Sequence, residues 1–212
     1  MKEKVRAYKC INQNNIISSI LIRDENESIC AYMVPVTEMI FEYPSCIEKM
    51  VQWRRDNPTV SNNYFQVTKE GTEKWLRRVI LEDDKKVFFI IVDKTLNPVG
   101  QMGISNLKEE EQSGFIYAVI KGDKNAQKGI MEHCLREMMA WAKRELNICN
   151  FYLDVQETND RAIALYKRIG FEQIKRIPLE KKVSEKEINW VISENLVAER
   201  YDVRMKYIIC GA

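Results

Sequence analysis

The stretch TNDRAIALYKRIGF, residues 158–171, holds two side chains able to do chemistry. Asn159 carries an amide that can cap a helix and also touch a ligand, and Tyr166 carries a weakly acidic hydroxyl whose proton could pass to a leaving thiolate. Ala162 and Tyr166 lie one helical turn apart and share a face. Gly170 suits a left-handed C-cap, after which Phe171 packs back on the helix. A capped core helix with a snorkelling tyrosine uses the same residues, so the pattern alone leaves both readings open.

A second chemical feature precedes it. The polar loop KGDKNAQKG runs straight into an amphipathic segment that begins at Ile130. A strand-to-helix junction of this kind presents backbone N–H groups without intrahelical partners, and the helix dipole adds partial positive charge. Such a junction suits phosphates, and Lys124 and Lys128 would add mobile charge while Gly129 admits a ligand close to the backbone. An ordinary connecting loop would look similar, and neither GxxxxGK[ST] nor GxGxxG is present. Nucleophilic catalysis by cysteine finds little support. His133 is the only histidine and sits next to Cys134 on one presumed helix, where neighbouring side chains diverge by about 100°.

These residues need a scaffold. Val87 to Asp93, Val99 to Ile104, Gly114 to Ile120 and Phe151 to Val155 read as strands, with a long helix from Ile130 between the last two. Strand, loop, helix and strand in that order imply a crossover between parallel neighbours, and hairpins on either side imply a mixed sheet. Ala31 to Val36 predicts a further strand, and the apolar run Ile16 to Ile22 a short strand or hairpin. Ile47 to Arg55 and Thr68 to Leu81 predict helices, the second with Thr68 as N-cap. Pro178 predicts a turn, followed by closing strands at Ile188 to Ile192 and Arg200 to Ile209. The fold class is α+β (mixed α/β), a single domain over 1–212 with residues 1–30 as an N-terminal extension or hairpin.

Composition narrows the partners. Lys plus Arg number 33 against 31 acidic residues, a balance unlike that of a dedicated nucleic-acid binder. The six cysteines are scattered without CxxC or metal-ligand spacing, which reads as reduced thiols and no metal. MKEKVRAYKC lacks the apolar run of a signal peptide, and no stretch reaches the ~20 apolar residues of a membrane span, so a cytoplasmic protein is expected.

The segment Gly114 to Phe171 resembles the GNAT superfamily of N-acetyltransferases. In that superfamily a strand leads into an acyl-coenzyme A loop written [QR]xxGx[GA], then a long helix, a strand, and N-x-x-A-x-x-x-Y-x-x-x-G-F. Asn159, Ala162, Tyr166, Gly170 and Phe171 fill those last positions. In the loop Gly129 matches, whereas Ala126 stands where Gln or Arg is usual and Met131 where Gly or Ala is usual; GIMEHCL is similar to a variant in the ribosomal-protein acetyltransferase branch. Upstream, MVQWRRDN, VTKEGTEKWL and VFFIIVDKTLNPVGQMGISNL are similar to acetyltransferases of nucleotide-linked amino sugars, with Trp53-Arg54-Arg55 and Thr68 to Trp75 as the shared elements.

The resemblance implies a mostly antiparallel central sheet flanked by helices, and acetyl-coenzyme A (acetyl-CoA) as cosubstrate. It implies direct acetyl transfer to a primary amine, most simply of a small molecule such as a nucleotide-linked amino sugar. A protein N-terminus, a polyamine, or a degenerate fold binding coenzyme A without catalysis are the alternatives. Val119 and Ile120 would pair with the pantetheine arm, and Gln127, Lys128, Gly129, Ile130 and Met131 would hold the pyrophosphate through backbone N–H groups. Asn159, with Ala162, would touch the pantetheine, and Tyr166 would protonate the thiolate. The resemblance leaves a homodimer open. No acid lies on Gly114 to Ile120, Asp154 and Glu157 stand near the end of the next strand, and Tyr117 could line the substrate cleft. The base is unassigned.

Overall fold

A computed structural model describes residues 1–10, 19–194 and 198–209. Part of the apolar run at 16–18 and Cys210 therefore lie outside the described residues. The chain forms ten strands in one sheet among the described residues: β1 (Ile20–Arg23), β2 (Ile29–Pro35), β3 (Asn63–Phe65), β4 (Val87–Asp93), β5 (Pro98–Lys108), β6 (Ser113–Lys121), β7 (Asn150–Gln156), β8 (Glu172–Val183), β9 (Glu187–Ile192) and β10 (Arg200–Ile208). Their order in the sheet is β1-β2-β4-β5-β6-β7-β10-β8-β9-β3. Every described pairing is antiparallel except β6 with β7, where the crossover helix α4 (Ile130–Leu146) forces a parallel neighbour.

Strand alternation divides the core in two. Phe89, Ile91, Met102, Ile104, Ile116, Phe151 and Leu153 face α4, the helix α5 (Asp160–Ile169) and the N-terminal helix α1 (Lys2–Lys9). Phe88, Ile90, Val92 and Ile120 face the opposite way, against α2 (Pro44–Asp56) and α3 (Lys69–Trp75). Val87 to Val92 are all buried because β4 is covered on both faces. Thr68 caps α3 as the sequence predicts, its hydroxyl accepting from the Gly71 N–H at 3.0 Å. Beyond Trp75 the helix widens into a π-helical turn, Leu76–Leu81, which keeps both Leu76 and Ile80 buried.

Two expectations are corrected. Pro178 is not at a turn but inside β8, opposite Tyr201 of β10. Its carbonyl accepts from Ser193 N–H on the β9 side, just past the Leu179–Ile192 end of that ladder, so the absent proline N–H breaks no strand pairing. The N-terminal segment supplies the β1–β2 hairpin but also α1, for which its polar sequence gives little periodic signal. Only Val5 and Lys9 of α1 are buried, and Lys9 Nζ donates to the carbonyls of Ile80 and Asp83 at 2.6 and 2.5 Å, fastening α1 to the end of the π-helical turn.

Candidate active site

The site is a wedge in the middle of the sheet. β6 and β7 pair only at Ser113 to Phe115 against Asn150 to Tyr152, and beyond Phe115 they part. Their outer edges remain paired along their length, β6 with β5 across two register shifts and β7 with β10. The inner edge of β6 past Phe115 therefore presents backbone groups that no described strand completes. A bulge sharpens this geometry: Ala118 takes φ of 52°, and the register slips between Gln101 and Gly103 so that two residues of β6 oppose Met102. Such an edge can pair with an extended, amide-bearing chain as an extra half-strand. Val119, half-buried, and Ile120, 3% exposed, lie on this edge.

The loop that follows is fastened from within. Lys121 Nζ donates to the Ala126 carbonyl at 2.7 Å, and the Asp123 carboxylate accepts from Asn125 N–H at 2.8 Å. The Ala126 methyl packs against the core beside α4, which accounts for a small side chain at that position. Gly129 is the N-cap of α4 with φ of 84°, a left-handed value that an L side chain resists. The N–H groups of Gln127, Lys128, Gly129 and Met131 meet no backbone carbonyl of the described residues, whereas the Ile130 N–H, also expected as an anion donor, is taken by the Gln127 carbonyl at 3.3 Å. Ile130 and Met131 turn their side chains into the core, at 3% and 8% exposure, leaving only main chain for a ligand. His133 is not paired with Cys134. Its Nε2 lies 3.3 Å from where a Gly129 β-carbon would stand, whereas the Cys134 thiol is fully buried and held protonated by that burial.

On the far side of the wedge, α5 starts at Asn159, whose Oδ1 accepts from Ala162 N–H at 3.1 Å, leaving its N–H2 group free to meet a ligand. Gly170 ends the helix at φ of 113°, and Phe171 returns to meet the Tyr166 ring edge-on with ring centres 5.8 Å apart. Tyr166 is buried, and desolvation pushes its hydroxyl up to about 12, so it is a proton donor at any physiological pH. Val119, Ala126 and Ala162 pack against the cluster that also holds Ile130, Met131 and Tyr166. The sequence-predicted residues Val119, Ala126, Ile130, Met131, Ala162 and Tyr166 thus all belong to, or pack on, one side of the core.

The opposite face of the wedge opens into a cleft of about 550 Å³ between the sheet and α2–α3. Its walls include Phe65, Trp75, Phe115 and Tyr117, with the cations Arg54 and Lys86. β3 crosses over from the α2–α3 connection to pair with β9, so Asn63 and Phe65 roof the cleft. Arg54 is no loose helix-end residue: it donates to the carbonyls of Pro58 and Asn63 at 2.9 and 2.6 Å. Arg55 likewise binds the Val67 carbonyl at 2.6 Å, so both guanidinium groups hold the roof in shape. Trp53 is core, 5% exposed, and Trp75 meets Phe88 edge-on at 5.3 Å.

The acids near the fourth central strand are engaged. Asp154 lies on the cleft face of β7 and is bound in bidentate fashion by Arg204 at 2.8 and 2.9 Å, and Glu157 is bound by Arg176 at 2.6 and 2.8 Å. No carboxylate lines the cleft among the described residues. Gln101 of β5, which sequence reasoning passed over, does line it, at 5% exposure and with Oε1 lacking a partner; a lone amide in the apolar run VGQMGI was its only signal.

A splayed parallel pair, a bulged inner edge and an N–H-rich turn are the fit for a cosubstrate with amides and a pyrophosphate. Comparison with known proteins agrees. The family model described as an acetyltransferase (GNAT) domain matches residues 44–172. An N-acetyltransferase 9-like protein of Caenorhabditis briggsae is 24% identical over 148 residues, covering 64% of this chain and 75% of that protein. An N-alpha-acetyltransferase of Saccharolobus solfataricus is 30% identical over 95 residues, covering 42% of this chain and 57% of that protein. Among solved structures, spermidine N-acetyltransferase from Vibrio cholerae in complex with CoA and spermine superposes with a TM-score of 0.60 at 16% identity, covering 77% of this chain and 90% of that one. That likeness speaks for the fold, whereas the family model spans more than half of the sequence. The chain belongs to the GNAT acetyltransferase family and is an acetyl-CoA-dependent N-acetyltransferase.

Proposed function

We propose that the enzyme acetylates the primary amine of a small molecule whose remainder is neutral or anionic, a nucleotide-linked amino sugar being the model acceptor. The observation that carries this reading is the cleft itself: about 550 Å³, walled by aromatic rings and amides, with Arg54 and Lys86 as its charged groups and no carboxylate among the described residues. A polyamine brings several positive charges, and a site for it needs opposing carboxylates. Peptide α-amines form a second reading, favoured by the Saccharolobus solfataricus relative being an N-alpha-acetyltransferase.

In this reading Val119 and Ile120 receive the pantetheine along the free edge of β6. Gln127, Lys128, Gly129 and Met131 take the pyrophosphate by backbone N–H, and the Asn159 amide meets the pantetheine from the α5 side. The amine nitrogen attacks the thioester carbonyl carbon, the C–N bond forms and the C–S bond breaks. The sulfur takes its proton from the Tyr166 hydroxyl, and the nitrogen loses one to water. A second copy of the chain is a further expectation: the Vibrio cholerae spermidine acetyltransferase is described as dodecameric, and sedimentation would show whether this chain assembles.

The test is an acceptor panel with acetyl-CoA: a nucleotide-linked amino sugar, a short peptide with a free N-terminus, and spermidine. The amino sugar as best acceptor supports the reading, the peptide as best acceptor favours the second reading instead, and spermidine as best acceptor overturns both.

A further inference from the structure

Two polar atoms in the cleft have no partner. Gln101 Oε1 and the Tyr117 hydroxyl are both buried and both without a hydrogen bond, although each residue lines the cleft. They come from adjacent strands on one face of the sheet. Tyr117 lies over Gly103, where a β-carbon would stand 2.6 Å from its ring, and Gln101 is two residues along the same strand on the same side. A buried polar atom without a partner costs about 1–3 kcal/mol, so two such atoms on residues lining one cleft point to a ligand that completes them.

Both atoms are neutral acceptors. The charged groups around them are already paired or positive: Lys86 with Asp83 at 3.2 Å, Arg54 on backbone carbonyls, Asp154 with Arg204, and Asp202 with Arg200 at 3.1 Å. Burial holds Tyr117 firmly in its neutral form, with Asp83 adding to that effect. An ammonium entering here would leave water without meeting a counter-charge, which is far costlier than entry of the free base. We infer that Gln101 and Tyr117 hold the acceptor nitrogen by its N–H groups and that the enzyme takes up its amine as the free base, selecting amines of low basicity.

The inference rests on the acceptor-cleft reading and narrows it. At pH 7.5 an amine of pKa about 7.8 is roughly one-third free base, whereas one of pKa about 10.4 is roughly 0.1% free base, a difference of a few hundredfold. It also gives the missing base a physical account, since a nitrogen that arrives uncharged needs no carboxylate before it attacks.

The test uses a series of small primary amines of matched size with pKa from about 7.5 to 10.5. Rates follow thiol release at saturating acetyl-CoA, and cosubstrate affinity is read by calorimetry. For the unaltered enzyme kcat/KM should fall at least tenfold toward the basic end. Gln101→Leu should raise the amine KM at least tenfold with acetyl-CoA affinity unchanged. Gln101→Glu should shift preference toward the basic amines, spermidine included. Tyr117→Phe, which keeps the ring over Gly103, should raise the amine KM and serves as the second probe if Gln101→Leu lowers the thermal midpoint. An amine KM within twofold of the parent in both Gln101→Leu and Tyr117→Phe overturns the inference, as does an unchanged preference order in Gln101→Glu. Low-basicity preference with silent variants would refute this assignment alone, whereas spermidine as best acceptor of the unaltered enzyme would refute the acceptor-class reading beneath it.

Discussion

A β-carbon on Gly122 would stand 2.0 Å from Cε2 of the Trp53 indole. The ring therefore covers the backbone where β6 passes into the loop before α4, and α2 packs on that loop there. Gly122 N–H also donates to the Val99 carbonyl at 2.9 Å, so the backbone cannot easily retreat. Gly122→Ala should overpack the site, lowering stability by about 1–3 kcal/mol. Chemical denaturation followed by tryptophan fluorescence reads it directly, and an unchanged midpoint would mean that the indole moves aside freely.

Tyr166 makes a prediction in two parts. Tyr166→Phe removes the proposed thiolate donor and little else, because the ring still meets Phe171 edge-on. A positioned acid contributes about 100-fold or more, so kcat should fall by about that factor while acetyl-CoA affinity holds. A kcat within threefold of the parent would rule out the acid role. The pH dependence follows from burial, which raises the hydroxyl to about 12. The donor stays protonated through neutral and mildly alkaline pH, so rate should not decline there on its account. Its folded value exceeds the unfolded one of about 10, so its contribution to stability is complete below pH 10 and is lost as pH climbs toward 12.

Gly129 carries the left-handed turn of the loop at φ of 84°, with His133 Nε2 3.3 Å from the place of its missing β-carbon. Gly129→Ala costs about 1–2 kcal/mol in that conformation. The strain falls on the N–H groups proposed to hold the pyrophosphate, so calorimetry should show acetyl-CoA affinity reduced by about tenfold. Equal affinity would place the pyrophosphate elsewhere.

How much of this was legible in the sequence depends on how local each feature is. The helix after Asn159 could be read because its signals are neighbours in the chain: the cap reaches only to Ala162, and Gly170 stops it with a conformation glycine favours. The β6–α4–β7 crossover could be read for the same reason, since strand, loop and helix patterns follow one another. β3 could not. It is three residues long and takes its meaning from Glu187 to Asn189 of β9, more than a hundred residues away. The bulge at Ala118 is equally silent, because its φ of 52° is imposed by register against Met102 and not by residue type. α1 has almost no apolar stripe and is held by Lys9 on distant carbonyls. Gln101 was passed over because a single amide in a buried strand reads as noise until the cleft around it is seen.

The acids of β7 permit one more test, on the question of the base. Asp154 faces the cleft side of the sheet, yet both its oxygens are taken by Arg204, which also lies 5.6 Å over the Phe115 ring. Withdrawing a proton from an amine would require breaking two charge-assisted hydrogen bonds first. Asp154→Asn should therefore leave kcat/KM within about threefold at neutral pH. Its cost should instead appear in folding, since Arg204 loses its carboxylate, and for a pair this accessible to solvent the loss is about 1 kcal/mol. Steady-state kinetics and thermal unfolding on the same preparation separate the two. A fall in kcat/KM of a hundredfold with an unchanged thermal midpoint would make Asp154 the base and remove the need for an uncharged acceptor.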